Sequence, residues 1–167
     1  MVILYPTPQG ALSVYAKTIA VSGGGASGFI GDGEARFRSV LDFIRDDTYY
    51  PTFEEKLTHL FFSLCRDHCF LDGNKRFAIA LCTHMLLLNG YVYCAGRFMA
   101  KMENVCRHVA AGAIGKDLLY EIVVNTVNEE FDDEELKLRI IDAIDTPQAE
   151  PFRLKRTSSI HGEEASS

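Results

Sequence analysis

The chain has 167 residues, 47% apolar and 24% charged, which is the composition of one soluble globular domain rather than of a disordered or fibrous protein. A chain of this length buries roughly 70% of its unfolded surface, so it needs neither disulfides nor a structural metal to fold. Seventeen basic residues against twenty-three acidic ones leave a net charge of −6, which disfavours long nucleic acids and requires any phosphate ligand to find a local positive site.

The start, Met1 to Pro6, lacks a basic stretch and a small-residue cleavage site, so no secretion signal is read. Leu12, Tyr15, Ala16, Ile19 and Ala20 recur at helical spacing and predict a first helix. The run Gly23-Gly24-Gly25-Ala26-Ser27-Gly28 fits GxGxxG. It follows a helix and not a strand, so it reads as a flexible interhelical loop and not as a dinucleotide fingerprint. Phe37, Val40, Leu41 and Ile44 predict a second helix, and Leu57, Leu60, Phe61, Leu64 and Cys65 a third. From Asn74 to Asn89 apolar residues run almost all round, the pattern of a helix enclosed by others. Gly90 supplies a left-handed stop, and Tyr91 to Cys94 is expected to be at most a short extended piece. Further helices are predicted over 98–111, 116–130 and 134–145. The acidic run Glu129 to Glu135 reads as a solvated turn leading into the last of them.

No segment alternates apolar and polar residues over a strand's length, so the fold class is all-α. One domain over residues 1–145 is expected, with a C-terminal tail, 146–167, of little packing value. The five cysteines (65, 69, 82, 94 and 106) include no CxxC pair and read as reduced core thiols, which with the missing signal points to the cytoplasm. The longest apolar run, 77–88, falls short of the roughly 20 residues that span a bilayer, so no membrane partner is expected.

Chemistry-bearing residues crowd into His68-Cys69-Phe70-Leu71-Asp72-Gly73-Asn74-Lys75-Arg76, at the bend between the third helix and the central one. The helix start at Gly73 and Asn74 offers unpaired N–H groups and a positive dipole end, a ready anion site. Lys75 and Arg76 in the first turn oppose the dipole by roughly 0.3–1 kcal/mol each unless an anion compensates them. A Lys and an Arg beside free N–H groups suit the holding of a triphosphate. Asp72 is a hard oxygen ligand suited to Mg²⁺. His68 is of the residue type best suited to take a proton from an attacking hydroxyl near neutral pH. Phe70 is expected to pin the loop into the core.

This string, followed by an apolar helix, resembles the Fic/Doc family motif HxFx(D/E)GNxR through His68, Phe70, Asp72, Gly73, Asn74 and Arg76. Cys69 stands where many members have Pro. AMP-transferring members usually have a second Gly after the Asn and a second Arg three residues beyond the first; here Lys75 and Ile79 occupy those places, as in the Doc (death-on-curing) branch. The resemblance implies a Fic-fold helical bundle over about residues 8–130, built around the central apolar helix with a short flap over the active-site loop. For the Doc branch it implies a toxin-type transferase that uses ATP and Mg²⁺ to phosphorylate a hydroxyl on a protein, such as a translation elongation factor. AMP transfer (AMPylation) to a protein hydroxyl is the alternative, and a non-catalytic Fic-like binding module is the alternative from another class.

Mapped residue by residue, the resemblance implies His68 as general base, Asp72 as the Mg²⁺ ligand, Gly73 and Asn74 as a phosphate cradle, and Lys75 and Arg76 as neutralising cations. Tyr49, Tyr50, Pro51 and Thr52 occupy the expected position of the target-docking flap. Relatives often carry an inhibitory helix with (S/T)xxxE(G/N). Thr126 to Glu130 and Ser159 to Glu163 both fail to complete it, so a separate small antitoxin is the expected inhibitory partner.

Overall fold

The computed structural model describes residues 2–130 and 133–147. Seven helices follow in chain order: α1 (Pro8–Val21), α2 (Gly33–Phe43), α3 (Phe53–Arg66), α4 (Asn74–Leu88), α5 (Val92–Ala111), α6 (Lys116–Val127) and α7 (Glu134–Asp145). Among the described residues there is no strand, only an isolated antiparallel bridge between Phe29 and Phe70. The protein is all-α, as its periodicity predicts.

Local chemistry sets the helix ends. Thr7 caps α1 ahead of Pro8, whose missing N–H costs nothing in a first turn. Thr52 and Glu55 form a reciprocal capping box on α3. Asp133 accepts the Leu136 N–H at the start of α7, with Glu134 and Glu135 in its first turn, so these three residues of the acidic run serve the helix start. Gly90, at φ +82°, and Gly112, at φ +86°, supply the left-handed residues that end α4 and α5.

Helix α4 packs against α1, α3 and α5, and α3 also packs on α6. Phe77, Ala78, Leu81, Cys82, Met85 and Leu86 of α4 are fully buried. The helix is not enclosed along its whole length, however, because Leu87 and Leu88 in its last turn are exposed. All five cysteines are free and buried.

Two boundaries differ from the sequence expectation. The piece expected to be extended, Tyr91 to Cys94, instead contains the start of α5, because Cys94 and Ala95 are drawn into the core with Phe98. Helix α6 ends at Val127 and not at 130, and Glu129 takes a left-handed φ of +58°. Of the expected tail, Thr146 caps α7 through Asp142, Pro147 follows it, and the remainder lies outside the described residues. No helix among the described residues is long and apolar enough to cross a membrane.

Candidate active site

After α3 ends, the Asp67 carbonyl accepts a hydrogen bond from the Arg36 guanidinium, fastening α2 to the start of the loop. His68 then adopts a left-handed φ of +44° and stands exposed. Such a backbone is uncommon for a residue with a Cβ and clusters at functional positions. The next two residues turn inward, and Cys69 and Phe70 are each 1% exposed.

Phe70 stacks on Tyr15 at 4.1 Å between ring centroids and on Phe29 at 4.7 Å, and meets Phe77 and Phe37 edge-on. It is the pin the sequence predicts. Asn74 closes the same turn: its Oδ1 accepts the Phe70 N–H at 3.0 Å and its Nδ2 donates to the Phe70 carbonyl at 2.8 Å. The Asn74 side chain is therefore committed to the loop, and what it can offer an anion is its backbone N–H.

Asp72 and the helix start interlock. The Asp72 carbonyl accepts the Tyr15 hydroxyl at 2.9 Å, its Oδ1 accepts the Gly73 N–H at 2.6 Å, and its Oδ2 pairs with Arg76 at 3.0 Å. The Gly73 N–H, followed by Arg76 and the Gly25 backbone, holds the Asp72 carboxyl below the usual carboxylate range against its partial desolvation. Gly73 needs to be glycine twice over, because its φ is +80° and a Cβ would strike Ile19. Lys75 is exposed and forms no hydrogen bond or ion pair among the described residues.

His68, Asp72, Gly73, Asn74, Lys75 and Arg76 line one cleft of about 410 Å³. Its remaining wall is Leu71 and Ile79, with Glu103, Cys106 and Arg107 contributed by α5. The donor set fits a Mg²⁺ ion that takes one carboxylate, Asp72, and completes its shell with phosphate and water. It does not fit an all-protein metal cage, since no group of three or more His, Cys, Asp or Glu among the described residues could hold an ion.

The expected flap is not beside this cleft. Thr52 caps the N-terminal end of α3, whereas His68 lies beyond its C-terminal end, and 14 helical residues separate the two by roughly 20 Å. Tyr50 is occupied there: its hydroxyl donates to His59 Nδ1 at 2.9 Å and accepts from Lys116 at 3.0 Å. Tyr49 and Tyr50 instead line a separate cleft of about 500 Å³ between α3 and α6.

The segment that does lie on the motif loop is the glycine-rich one read as a plain interhelical loop. The Leu71 N–H donates to the Gly28 carbonyl at 2.9 Å and the Ile30 N–H to the Cys69 carbonyl at 3.0 Å, on either side of the Phe29–Phe70 bridge. A Cβ on Gly25 would strike the Asp72 carboxylate, and one on Gly33 would overlap the Cys69 carbonyl. The glycines permit this close approach. Tyr15, Gly25, Glu103 and Arg107 are thus site residues that sequence reasoning missed. A glycine run allowing close backbone approach was the available signal for Gly25; Glu103, Cys106 and Arg107 share a helical face, but nothing local says what that face meets.

Residues 29–86 match the model of the Fic/DOC family. The matched span runs from the bridging Phe29 through α2, α3 and the motif into α4, and it supports the Fic/Doc family for this chain without separating the Doc branch. No curated protein and no solved structure matches it. Tyr15, which holds the Asp72 carbonyl, and the α5 wall lie outside the matched span, so one wall of the cleft comes from a part of the chain beyond the Fic/Doc match.

Proposed function

We propose that this chain is a Fic/Doc-type protein-modifying transferase that moves the γ-phosphoryl group of ATP to a hydroxyl of a protein substrate. The observation that carries the reading is the cleft at the start of α4, where an exposed histidine, the Asp72 carboxylate and a free lysine stand around a helix N-terminus. His68 takes the hydroxyl proton as the substrate oxygen bonds to phosphorus; the bond from the γ-phosphorus to the bridging oxygen breaks and ADP leaves. Lys75 and Arg76 neutralise charge on the transferred and leaving phosphates, and the Gly73 and Asn74 N–H groups cradle them. Asp72 would hold Mg²⁺, which when bound supplies charge neutralisation at the phosphate oxygens. For this Asp72 must loosen from Arg76 and Gly73, freeing Arg76 for phosphate.

The docking role expected of Tyr49 to Thr52 passes to the segment around Phe29. Gly28 and Ile30 face the motif loop, so in the alternation of an antiparallel pair the Phe29 N–H and carbonyl face outward, where an extended substrate can pair with them. Phosphoryl transfer is favoured over AMP transfer because Lys75 adds a side-chain cation at the helix start and Ile79 adds none one turn on. A separate small antitoxin in the cytoplasm and a translation elongation factor as target belong to the same reading. Among the described residues the inhibitory pattern has no helix to carry it: Thr126 is buried in α6, and Glu130 lies beyond the helix end.

Incubation of the protein with cell extract and ATP labelled at the γ or the α phosphorus tests the proposal, with mass spectrometry naming the labelled protein. Label from γ alone is expected. Label from α means AMP transfer, and transfer of neither means a binding module.

A further inference from the structure

Every other arginine among the described residues holds a carboxylate or a backbone carbonyl. Arg107 holds neither, although it lines the cleft. Its sequence neighbourhood makes this telling. Asp32 with Arg36, Glu34 with Arg38 and Asp72 with Arg76 are spaced four apart at the start of α2 or α4, and all three pair at 2.9–3.0 Å. Glu103 and Arg107 have the same spacing on α5 and line the same cleft, yet no ion pair closes between them. Arg107 is therefore a charged side chain at a cavity wall with its donors unspent.

Its placement gives those donors a use. Lys75 on α4 and Arg107 on α5 both pull down the Cys106 thiol, whose burial otherwise raises it, so the two cations flank that residue from different helices. On α4 itself the charge stops at Arg76, because the next cleft-facing residue, Ile79, is apolar. A phosphate chain seated on the start of α4 meets the Gly73 and Asn74 N–H groups together with Lys75 and Arg76, and beyond these the next cation lining the cleft is on the α5 wall. Arginine presents a planar fork of donors matched to phosphate oxygens.

We propose that Arg107 joins Lys75 and Arg76 in binding the distal phosphates of the nucleotide, so that the cleft selects a nucleoside triphosphate over the monophosphate. This rests on the reading of the cleft as a nucleotide site and adds to it a contact from outside the family-matched span.

Calorimetric titration of the full chain with Mg²⁺ and ATP, ADP or AMP tests it on wild type, Arg107→Ala, Arg107→Lys and Arg76→Ala. Arg107→Ala is expected to weaken ATP about tenfold or more, as for loss of a charge-assisted hydrogen bond, and to leave AMP within twofold. Arg107→Lys is expected to recover part of the loss. Arg107 is exposed and its side chain holds no other group, so the variants should fold; Arg107→Gln serves if the alanine variant does not. ATP binding unchanged in Arg107→Ala but lost in Arg76→Ala overturns the role of Arg107 while the nucleotide site stands. Equal weakening of ATP and AMP overturns the distal contact. Failure of the wild type to bind any nucleotide overturns the site and this inference together.

Discussion

Replacing Phe70 with alanine should destabilise the whole domain and not the active-site loop alone. The ring is 1% exposed. It touches Tyr15 on α1, Phe37 on α2 and Phe77 on α4, besides Phe29 in the glycine-rich segment. Truncating a fully buried phenylalanine costs about 3–5 kcal/mol, from lost transfer energy and from a cavity that three helices cannot collapse into together. With a urea slope of about 2 kcal/mol per molar for a small domain, the unfolding midpoint should fall by about 1.5–2.5 M. Hydrogen exchange supplies the second readout, because the Ile30 and Leu71 amides are bonded to Cys69 and Gly28 only while Phe70 holds the two segments together. Both amides should lose protection in parallel with the global midpoint. A midpoint fall under about 0.5 M, with protection lost only at those two amides, would show that the loop opens by itself and that Phe70 does not tie the helices together.

His59 should make the protein acid-sensitive. Burial first, and the charge of Lys116 second, pull its pKa down to about 4 from 6.5, and its Nδ1 accepts from both Tyr50 and Lys116, which suits the neutral ring. The unfolded chain therefore binds the proton first, and stability present above pH 6.5 is lost as the pH falls towards 4. Discounted for its partial exposure, the loss is about 1–2 kcal/mol, and denaturation at pH 7.5 and 4.5 should show it in wild type but not in His59→Gln. Gly33→Ala should drive a methyl into the Cys69 carbonyl and cost about 1–3 kcal/mol, read as a fall of roughly 2–10 °C in Tm; an unchanged Tm would mean that the loop yields freely. His68→Ala should lower label transfer by about 100-fold or more while Mg-ATP affinity stays within threefold; persistent transfer would remove His68 as the base.

The helices were legible because each buries a stripe at the 3.6-residue period, as Leu57, Leu60, Phe61 and Leu64 do, and that signal needs no partner to be recognised. The motif loop was legible for a related reason: His68, Asp72, Lys75 and Arg76 lie within nine residues, so the chain itself brings them together. The start of α5 at Val92 was not, since Cys94 and Ala95 are helical by virtue of the core they enter. Which segment lies on the motif loop was not legible either, because a Pro-containing turn and a glycine run carry equal local signals and only packing tells them apart.

The sequence by itself determined the all-α class, the helix start at Gly73 and the cluster of acid, base and cations around it, all of which depend on neighbours within a few turns of chain. Tertiary structure decided what faces that cluster: Tyr15 holding the Asp72 carbonyl, Gly25 against its carboxylate, and Arg107 across the cleft on α5. Those contacts span tens of residues along the chain. Which face of one helix meets which loop is settled by the joint burial of Phe29, Phe37, Phe70 and Phe77, a condition no local spacing encodes.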